Sequence, residues 1–215
     1  MREVIFWGAT GQAKVLHEAI QGSDITLVAL VDNREQPASS LGVPVMRGAA
    51  GLDAWLAHRG SVRGLHYAVA VGGGRGRDRL MLMDVLEERG LTALTIVHKA
   101  SFVAGNALLG AGCQVLAQAA VCADARLGRG VIVNTAASVD HDCDIGDGVH
   151  LAPGVRLTGE VTVGQRTFIG TGAIVLPGVC IGCDSVIGAC AVVLKDVPAR
   201  VTVVGNPARI LVGKY

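Results

Sequence analysis

The chain has 215 residues, 51% hydrophobic and only 3% aromatic, with a formal net charge of +1. This length has room for two small domains. A near-neutral charge without a basic stripe argues against nucleic acid, and no apolar run reaches membrane-spanning length. The first residues have the pattern of a strand rather than a signal peptide. We therefore expect a cytoplasmic protein with no nucleic-acid or membrane partner.

The first 98 residues alternate between strand and helix patterns. Strands are predicted at 3–7, 25–32, 43–46, 67–71 and 92–97, and helices at 12–21, 52–58 and 77–89. Alternation of this kind implies a parallel sheet with helical crossovers. Region 1–98 is therefore predicted to be an α/β domain that resembles a truncated Rossmann unit.

Two glycine-containing loops follow predicted strands in this region. Each precedes a helix, where free backbone N–H groups and the helix dipole attract phosphate. Together they indicate a nucleotide diphosphate site, with Arg75 or Arg77 available to a phosphate. The alternative is that the glycines only make tight turns. The candidate substrate-binding residues are Gly8, Thr10, Gly11, Gln12, Asp32, Asn33, Gly72, Gly73 and Arg77.

A nicotinamide dehydrogenase is the rival interpretation of this half. Asp32 could hold a ribose hydroxyl, as acidic residues do in dinucleotide-binding folds. However, the first loop lacks the full GxGxxG pattern, and fewer than a hundred residues leave no second mononucleotide-binding half. A nucleotide attached to something other than nicotinamide fits better.

From Val103 to Val193, every sixth residue is Val, Leu or Ile. A period of six does not match the 3.6 residues of an α-helical turn. Three hexads close one coil of a triangular prism, so 99–215 is predicted to be a left-handed parallel β-helix of about five coils. Seven glycines are expected at corners where the backbone turns sharply or takes a positive φ. They are Gly110, Gly128, Gly146, Gly164, Gly170, Gly182 and Gly188.

The six cysteines fit a reducing compartment better than a metal site. Cys113 and Cys143 occupy small inward positions of the hexads, where cysteine acts as a compact hydrophobe. Cys180 and Cys183 form a single CxxC without a second pair, so no metal is expected. A buried Cys143 thiol without a positive neighbour would be inert as an acyl carrier.

His141 and Asp142 are the predicted catalytic pair. His141 lies two residues beyond the inward Val139, so its ring can face outward beside Asp142. A neutral imidazole steadied by a carboxylate can accept a proton near neutral pH. Eighteen residues per coil put Gly159 directly over His141, where its N–H could bind the oxyanion of a thioester intermediate. The alternative is a solvated surface histidine.

A family resemblance rests on five segments of the chain. They are the Gly8-x-x-Gly11 loop, the later glycine loop with arginine, Asn134-Thr135, Asp140-His141-Asp142-Cys143 with His150 nine residues later, and Gly205-Asn206-Pro207-Ala208-Arg209. Together they resemble the bacterial nucleotide-sugar acetyltransferases with hexapeptide repeats. These include amino-sugar N-acetyltransferases of the bacillosamine and perosamine types and the related sialic acid O-acetyltransferases. The chain departs from the family at Gln12, where the family often has histidine.

The resemblance implies that 1–98 binds a nucleotide-linked amino sugar and that 99–215 binds acetyl-CoA as co-substrate. It also implies a homotrimer with active sites between neighbouring subunits, and low-charge hexads over 131–139 and 173–179 suit such an interface. The expected acetyl-CoA contacts are Asn134, His150, Gly159, Gly170, Lys195 and Arg209.

The sequence thus predicts an acetyl-CoA-dependent N-acetyltransferase of cell-surface glycan biosynthesis, with direct transfer and His141 as general base. Two alternatives stay open. One is a sugar O-acetyltransferase of the sialic acid type, because His141 could deprotonate either nucleophile. The other is a non-catalytic nucleotide-sugar-binding scaffold, although a silent scaffold has no need for a His–Asp pair.

Overall fold

The computed structural model describes residues 1–34 and 41–211. Its N-terminal part is a sheet of five parallel strands, β1 (Arg2–Trp7), β2 (Ile25–Asp32), β3 (Val45–Arg47), β4 (Leu65–Val69) and β5 (Thr92–Ala93), in the order β3-β2-β1-β4-β5. Three helices connect these strands, namely α1 (Gly11–Ala19), α2 (Gly48–Arg59) and α3 (Gly76–Glu87). No helix within the described residues is long and apolar enough to cross a bilayer. The predicted parallel sheet with helical crossovers is confirmed.

Two predicted elements of this part differ from the structure. The strand predicted at 92–97 is two strands, because only Thr92–Ala93 pairs with β4, whereas Ile96–Val97 pairs with Gln114–Val115 in the following region. The second helix begins at Gly48, four residues before the predicted start. Arg47 at its N-cap makes no side-chain capping bond, so the sequence carries no start signal there.

The following described residues, up to 211, form a parallel β-helix whose three sheets are the faces of a prism. The covered sheet consists of β6 (Ile96–Val97), β9 (Gln114–Val115), β12 (Ile132–Val133), β15 (His150–Leu151), β18 (Phe168–Ile169), β21 (Val186–Ile187), β23 (Thr202–Val204) and β24 (Arg209–Ile210). The apolar sheet consists of β7 (Phe102–Val103), β10 (Ala120–Val121), β13 (Ser138–Val139), β16 (Arg156–Leu157), β19 (Ile174–Val175) and β22 (Val192–Val193). The polar sheet consists of β8 (Leu108–Leu109), β11 (Arg126–Leu127), β14 (Asp144–Ile145), β17 (Thr162–Val163) and β20 (Cys180–Ile181).

The aliphatic residues of the hexads form the column predicted from the sequence. In each two-residue strand from β9 to β22 the second side chain, from Val115 to Val193, points inward and is buried. Successive strands of a sheet pair 18 residues apart, as Val121 does with Val139. Small side chains fill the remaining space, including Cys143, whose thiol donates to the Thr158 carbonyl at 3.2 Å.

The seven hexad glycines lie at the corners, but for a different reason than a positive φ. A Cβ added at Gly146 would lie 2.6 Å from the backbone nitrogen of Gln165 in the next coil, and the other six are similarly crowded. The left-handed backbone occurs two residues later, at Gly148 with φ +68°. Glycine is therefore required here because the coils stack too closely for a side chain.

The N-terminal part packs against the covered sheet, whose outward side chains it buries. Gln114 and Ile132 are 1% and 0% exposed, and Ile132 joins a core cluster with Phe6, Ala13 and Leu16. The outward positions of the polar sheet are mostly polar, whereas those of the apolar sheet are mostly apolar. The latter are Phe102, Ala120, Ser138, Arg156, Ile174 and Val192.

The close stacking of the coils predicts how much one added methyl group destabilises the protein. We expect Gly146→Ala to lower the free energy of unfolding by about 1–3 kcal/mol, because the new Cβ overlaps the backbone of Gln165. Gly105→Ala is the matched control, since nothing lies within 4 Å of the added Cβ. Denaturant unfolding measures both. Equal stability of the two variants would contradict the packing explanation.

Candidate active site

His141 lies at the corner between the apolar and polar sheets, between β13 and β14. Its Nδ1 is 2.8 Å from Oδ2 of Asp142, so Nδ1–H donates to the carboxylate and Nε2 is left as the basic nitrogen. Asp142 takes the left-handed conformation with φ 57°, which aspartate tolerates better than most residues. The corner turn thus brings the carboxylate back onto the ring that precedes it.

Gly159 lies over the imidazole, as the 18-residue repeat predicts. A Cβ at this position would be 2.5 Å from Cε1 of His141, so only glycine leaves the ring its place. The Gly159 carbonyl accepts from Gly178, whereas its N–H has no acceptor among residues 1–34 and 41–211. A free N–H beside the base nitrogen is the arrangement needed to bind a developing oxyanion.

Acidic neighbours make His141 a stronger base. The hydrogen bond to Asp142 raises the pKa of the imidazole above its usual value, and the charges of Asp140, Asp142 and Glu160 act in the same direction. More than half of the side chain is exposed, so the ring is accessible. Cys143 nearby is no rival nucleophile, because burial raises the pKa of its thiol to about 11.

The first glycine loop and the end of β2 form one pocket at the carboxyl edge of the five-stranded sheet. Gly8, Thr10, Asp32 and Asn33 line it together with Arg75. The Asp32 carboxylate accepts from the Ala9 N–H at 3.1 Å, which holds the loop against β2. Gly8 has φ +115°, and a Cβ there would meet the backbone of Ala70. The structure therefore brings these four predicted residues together.

The second glycine loop lies beside Gln12 of the first loop. A Cβ at Gly72 would be 3.4 Å from Oε1 of Gln12 and 3.4 Å from Cε1 of His150. Gln12 also donates to Gln114 at 2.8 Å, and Gln114 donates to the Val69 carbonyl at 2.8 Å. The family's variable first-loop position therefore faces the β-helix.

Five of the nine predicted substrate residues do not line this pocket, namely Gln12, Gly72, Gly73, Gly11 and Arg77. Gly11 begins α1, and a Cβ there would have nothing within 4 Å. Arg77 is exposed and lies 3.9 Å from Asp184 of the β-helix, whereas Arg75 lines the pocket. Of the two arginines that the sequence offers, only Arg75 lines the pocket.

His150 is buried at the junction of the two parts. Its Nδ1–H donates to the Gly73 carbonyl at 3.2 Å, and Nε2 accepts from the Asn134 amide at 3.1 Å. Its ring meets Phe168 edge-on, with 5.4 Å between centroids. Burial lowers the pKa of His150 to about 4, with a smaller contribution from the charge of Arg79. His150 is therefore neutral, and both of its ring nitrogens are engaged in hydrogen bonds within the chain.

The other candidate acetyl-CoA residues fall into two groups. Lys195 and Arg209 line a cleft of about 610 Å³ at the C-terminal end of the β-helix, together with Leu194 and Ile210. By contrast, the Gly170 N–H donates to Ile187 and a Cβ there would contact the next coil, so packing accounts for this glycine.

Within one chain, His141 and the pocket lined by the first glycine loop lie on opposite sides of the prism. His141 occupies the corner between the apolar and polar sheets, whereas the glycine loops pack against the covered sheet. The prism therefore separates the two half-sites of a single chain.

Sequence reasoning missed two buried polar residues at this junction, Gln114 and Arg79. Gln114 could have been found, because the 18-residue register aligns it with Ile132, His150 and Phe168 on one face. Arg79 carries no such signal, since it lies in an ordinary helical segment.

Comparisons with known proteins agree with this geometry. The chain is 37% identical to perosamine N-acetyltransferase from Caulobacter crescentus, covering 98% of this chain and 97% of that one at a TM-score of 0.91. That protein was crystallised with CoA and GDP-perosamine, including variants with a histidine replaced by asparagine or alanine. The acetyltransferase domain of PglB from Neisseria gonorrhoeae is 34% identical over 98% of this chain and all of that one, at a TM-score of 0.86.

The chain belongs to the nucleotide-sugar N-acetyltransferases. The resemblance inferred from the sequence is thereby confirmed, and the coils fit the left-handed β-helix of acetyltransferases. A scan against protein families and a search of curated proteins found no match. Among the described residues of this N-acetyltransferase, no group of three or more histidine, cysteine or acidic side chains is placed to hold a metal.

The contact between Gly159 and His141 predicts a loss of catalysis without a loss of fold. We expect Gly159→Ala to displace the imidazole and lower kcat by about 10²–10⁴-fold, the usual contribution of a general base. KM values should change little. Steady-state kinetics measure this, with Gly105→Ala as the control, and an unchanged kcat would contradict it.

The Asp142 hydrogen bond predicts a shift in the pH profile. Because this bond raises the pKa of His141, Asp142→Asn should lower it, so His141 stays neutral at lower pH. The acid limb of kcat should then move to lower pH while the plateau falls, since a weaker base removes the proton less well. A kcat profile across pH 5–9 tests this, and movement to higher pH would refute it.

Proposed function

We propose that this chain is an acetyl-CoA-dependent N-acetyltransferase that acts on the amino group of a nucleotide-linked amino sugar. The observation that carries the proposal is the free Nε2 of His141, which faces Gly159 while Nδ1 is held by Asp142. Similarity to perosamine N-acetyltransferase supports the nature of both substrates.

The proposed chemistry is direct transfer. As the sugar amine attacks the thioester carbonyl, Nε2 of His141 accepts the proton that the nitrogen loses. The Gly159 N–H donates to the oxygen on which negative charge develops. When the C–S bond breaks, the imidazolium returns its proton to the departing thiolate. Asp142 stabilises the imidazolium between these steps.

The proposal gives each part of the chain one substrate. Residues 1–98 act as a Rossmann-like unit that binds the nucleotide sugar, because Gly8, Asp32 and Arg75 converge beside the N-terminus of α1. Residues 99–215 act as the left-handed β-helix that binds acetyl-CoA, and its last four residues, 212–215, lie outside the described ranges. Lys195 and Arg209 are suited to the phosphates of CoA.

Six free cysteines and this co-substrate support a cytoplasmic location.

We further propose a homotrimer with the active sites shared between chains. A sugar held by the glycine loops cannot reach His141 of its own chain across the prism. The apolar sheet remains uncovered, with Phe102 and Ile174 exposed, and it adjoins both the corner of Asn134 and the corner of His141. If this sheet faces a three-fold axis, the Asn134 corner of one chain meets the His141 corner of its neighbour.

Transfer to a hydroxyl group, as in sialic acid O-acetylation, is the second candidate within the same chemistry. The amino-sugar substrate of the similar enzyme favours N-transfer. A silent scaffold is disfavoured because the His–Asp pair and the glycine above it form a working base.

The proposed activity predicts thiol release from acetyl-CoA only with amine acceptors. The panel consists of UDP-, GDP- and dTDP-linked 4-amino sugars, with CMP-sialic acid and free sialic acid alongside. His141→Asn should lower kcat by at least about tenfold, because the base is removed, whereas His58→Asn, at an exposed site on α2, should not. Turnover only with a hydroxyl acceptor would overturn N-transfer.

Sharing of the active site predicts that two inactive chains rescue each other. His141→Ala removes the base, and Thr10→Trp fills the pocket that Thr10 lines, at an exposed position where the fold has space. Trimers reassembled from equal amounts of the two variants should recover about a quarter of the wild-type rate. One site in four combines an unaltered loop from one chain with an unaltered His141 from its neighbour. The doubly substituted chain should stay inactive. Mixtures without activity would contradict a shared site.

A further inference from the structure

Arg79 has the largest fully buried side chain among the described residues, and the proposed chemistry does not use it. It lies in the first turns of α3, and no carboxylate lies within salt-bridge distance of it among residues 1–34 and 41–211. Burial lowers the pKa of its guanidinium to about 10, so the group stays charged at neutral pH. A buried charge of this kind is retained only where hydrogen bonds compensate it.

The guanidinium is compensated by backbone carbonyls from both parts of the chain. It donates to Val71 at 2.9 Å, immediately before the second glycine loop. It also donates to Gly130 at 2.7 Å and Gly148 at 2.6 Å, which lie at the same corner of successive coils. One side chain therefore fastens the start of the loop to the β-helix.

His150 fastens the same loop two residues later. Its Nδ1–H donates to the Gly73 carbonyl, and its Nε2 accepts from Asn134. Burial, and to a smaller extent the neighbouring charge of Arg79, lowers the pKa of His150, so the ring stays neutral and its Nε2 remains an acceptor for Asn134. The ring thus joins the nucleotide-sugar loop to the corner beside the apolar sheet.

We propose that Arg79 and His150 form a clamp that holds the glycine loop 72–74 on the β-helix and so positions the nucleotide sugar relative to the acetyl donor. The inference rests on the proposed function for its substrate. Both are positioning residues, since Arg79 is buried and both nitrogens of His150 are occupied.

The composition of the loop explains why a clamp is needed. Gly72, Gly73 and Gly74 have no side chains to restrict them, and Gly73 takes φ +68°. Ordering such a segment on binding costs conformational entropy, which lowers affinity unless the loop is already fixed. Fixing the loop to the β-helix also sets the distance between the bound sugar and the part of the site that the β-helix forms. Small changes in that distance lower the rate of acetyl transfer.

Two substitutions of His150 separate the clamp from a direct contact with acetyl-CoA. In His150→Asn the amide nitrogen can occupy the place of Nδ1 and still donate to Gly73. In His150→Gln the amide reaches the place of Nε2, so it retains Asn134 and loses Gly73. We expect the glutamine variant to raise KM for the nucleotide sugar by about tenfold or more, and the asparagine variant by less than about threefold.

The other end of the clamp is tested with Arg79→Met and a matched control. Arg129→Met removes a second arginine from the same junction, but Arg129 binds Asp84 and Glu87 of α3 and no loop carbonyl. Hydrogen–deuterium exchange at the amides of residues 70 and 79, which flank the loop and donate to the carbonyls of Trp7 and Arg75, reports on the loop without requiring turnover. Exchange should accelerate by about tenfold in Arg79→Met and His150→Gln, and stay near wild type in Arg129→Met and His150→Asn.

The outcomes distinguish this inference from the proposed function. If the wild-type protein acetylates none of the nucleotide sugars, the proposed function fails, whereas the exchange pattern still tests the clamp. The clamp is overturned if loop exchange is equal in the two His150 variants. It is also overturned if only KM for acetyl-CoA changes, because His150 would then act on the donor. Should Arg79→Met not fold, the His150 pair decides.

Discussion

The close stacking of 18-residue coils is the constraint on which the rest of this structure depends. Because each coil lies directly on the one before, a position in the hexad determines both the face and the corner that a residue occupies. Crowding at Gly146 shows how little space the stack leaves. The same regularity brings Gly159 over His141, so the repeat that builds the core also builds the base and its neighbouring donor.

The prism also explains how the two parts of the chain cooperate. One face is covered by the N-terminal part of the chain, one is polar, and one is apolar and uncovered. His141 lies at the corner farthest from the covered sheet, so a rigid prism separates the base from the substrate loops of its own chain. This separation is the physical reason for proposing an assembly in which the acceptor site uses the corner of another copy, and the apolar sheet offers a surface for that contact.

The junction between the two parts is held by polar contacts as well as apolar packing. Gln12, Gln114 and His150 form hydrogen bonds across it, and Arg79 places a full charge where only carbonyls compensate it. Buried polar groups of this kind contribute less to stability than to a unique arrangement, because any displacement leaves them unpaired. A loop of consecutive glycines is the segment that depends most on such an arrangement.

The sequence by itself determined the period of six, the inward column and the His141–Asp142 pair, because these depend on local spacing and on the chemistry of neighbouring side chains. It also indicated the alternating strands and helices of the first part. Only the tertiary structure decided that the strand pattern at 92–97 divides between two sheets, that Arg75 rather than Arg77 lines the pocket, and that Arg79 and His150 meet one loop. Those outcomes depend on contacts between residues 18 to 77 positions apart, which follow from the docking of two units and leave no local pattern in the chain.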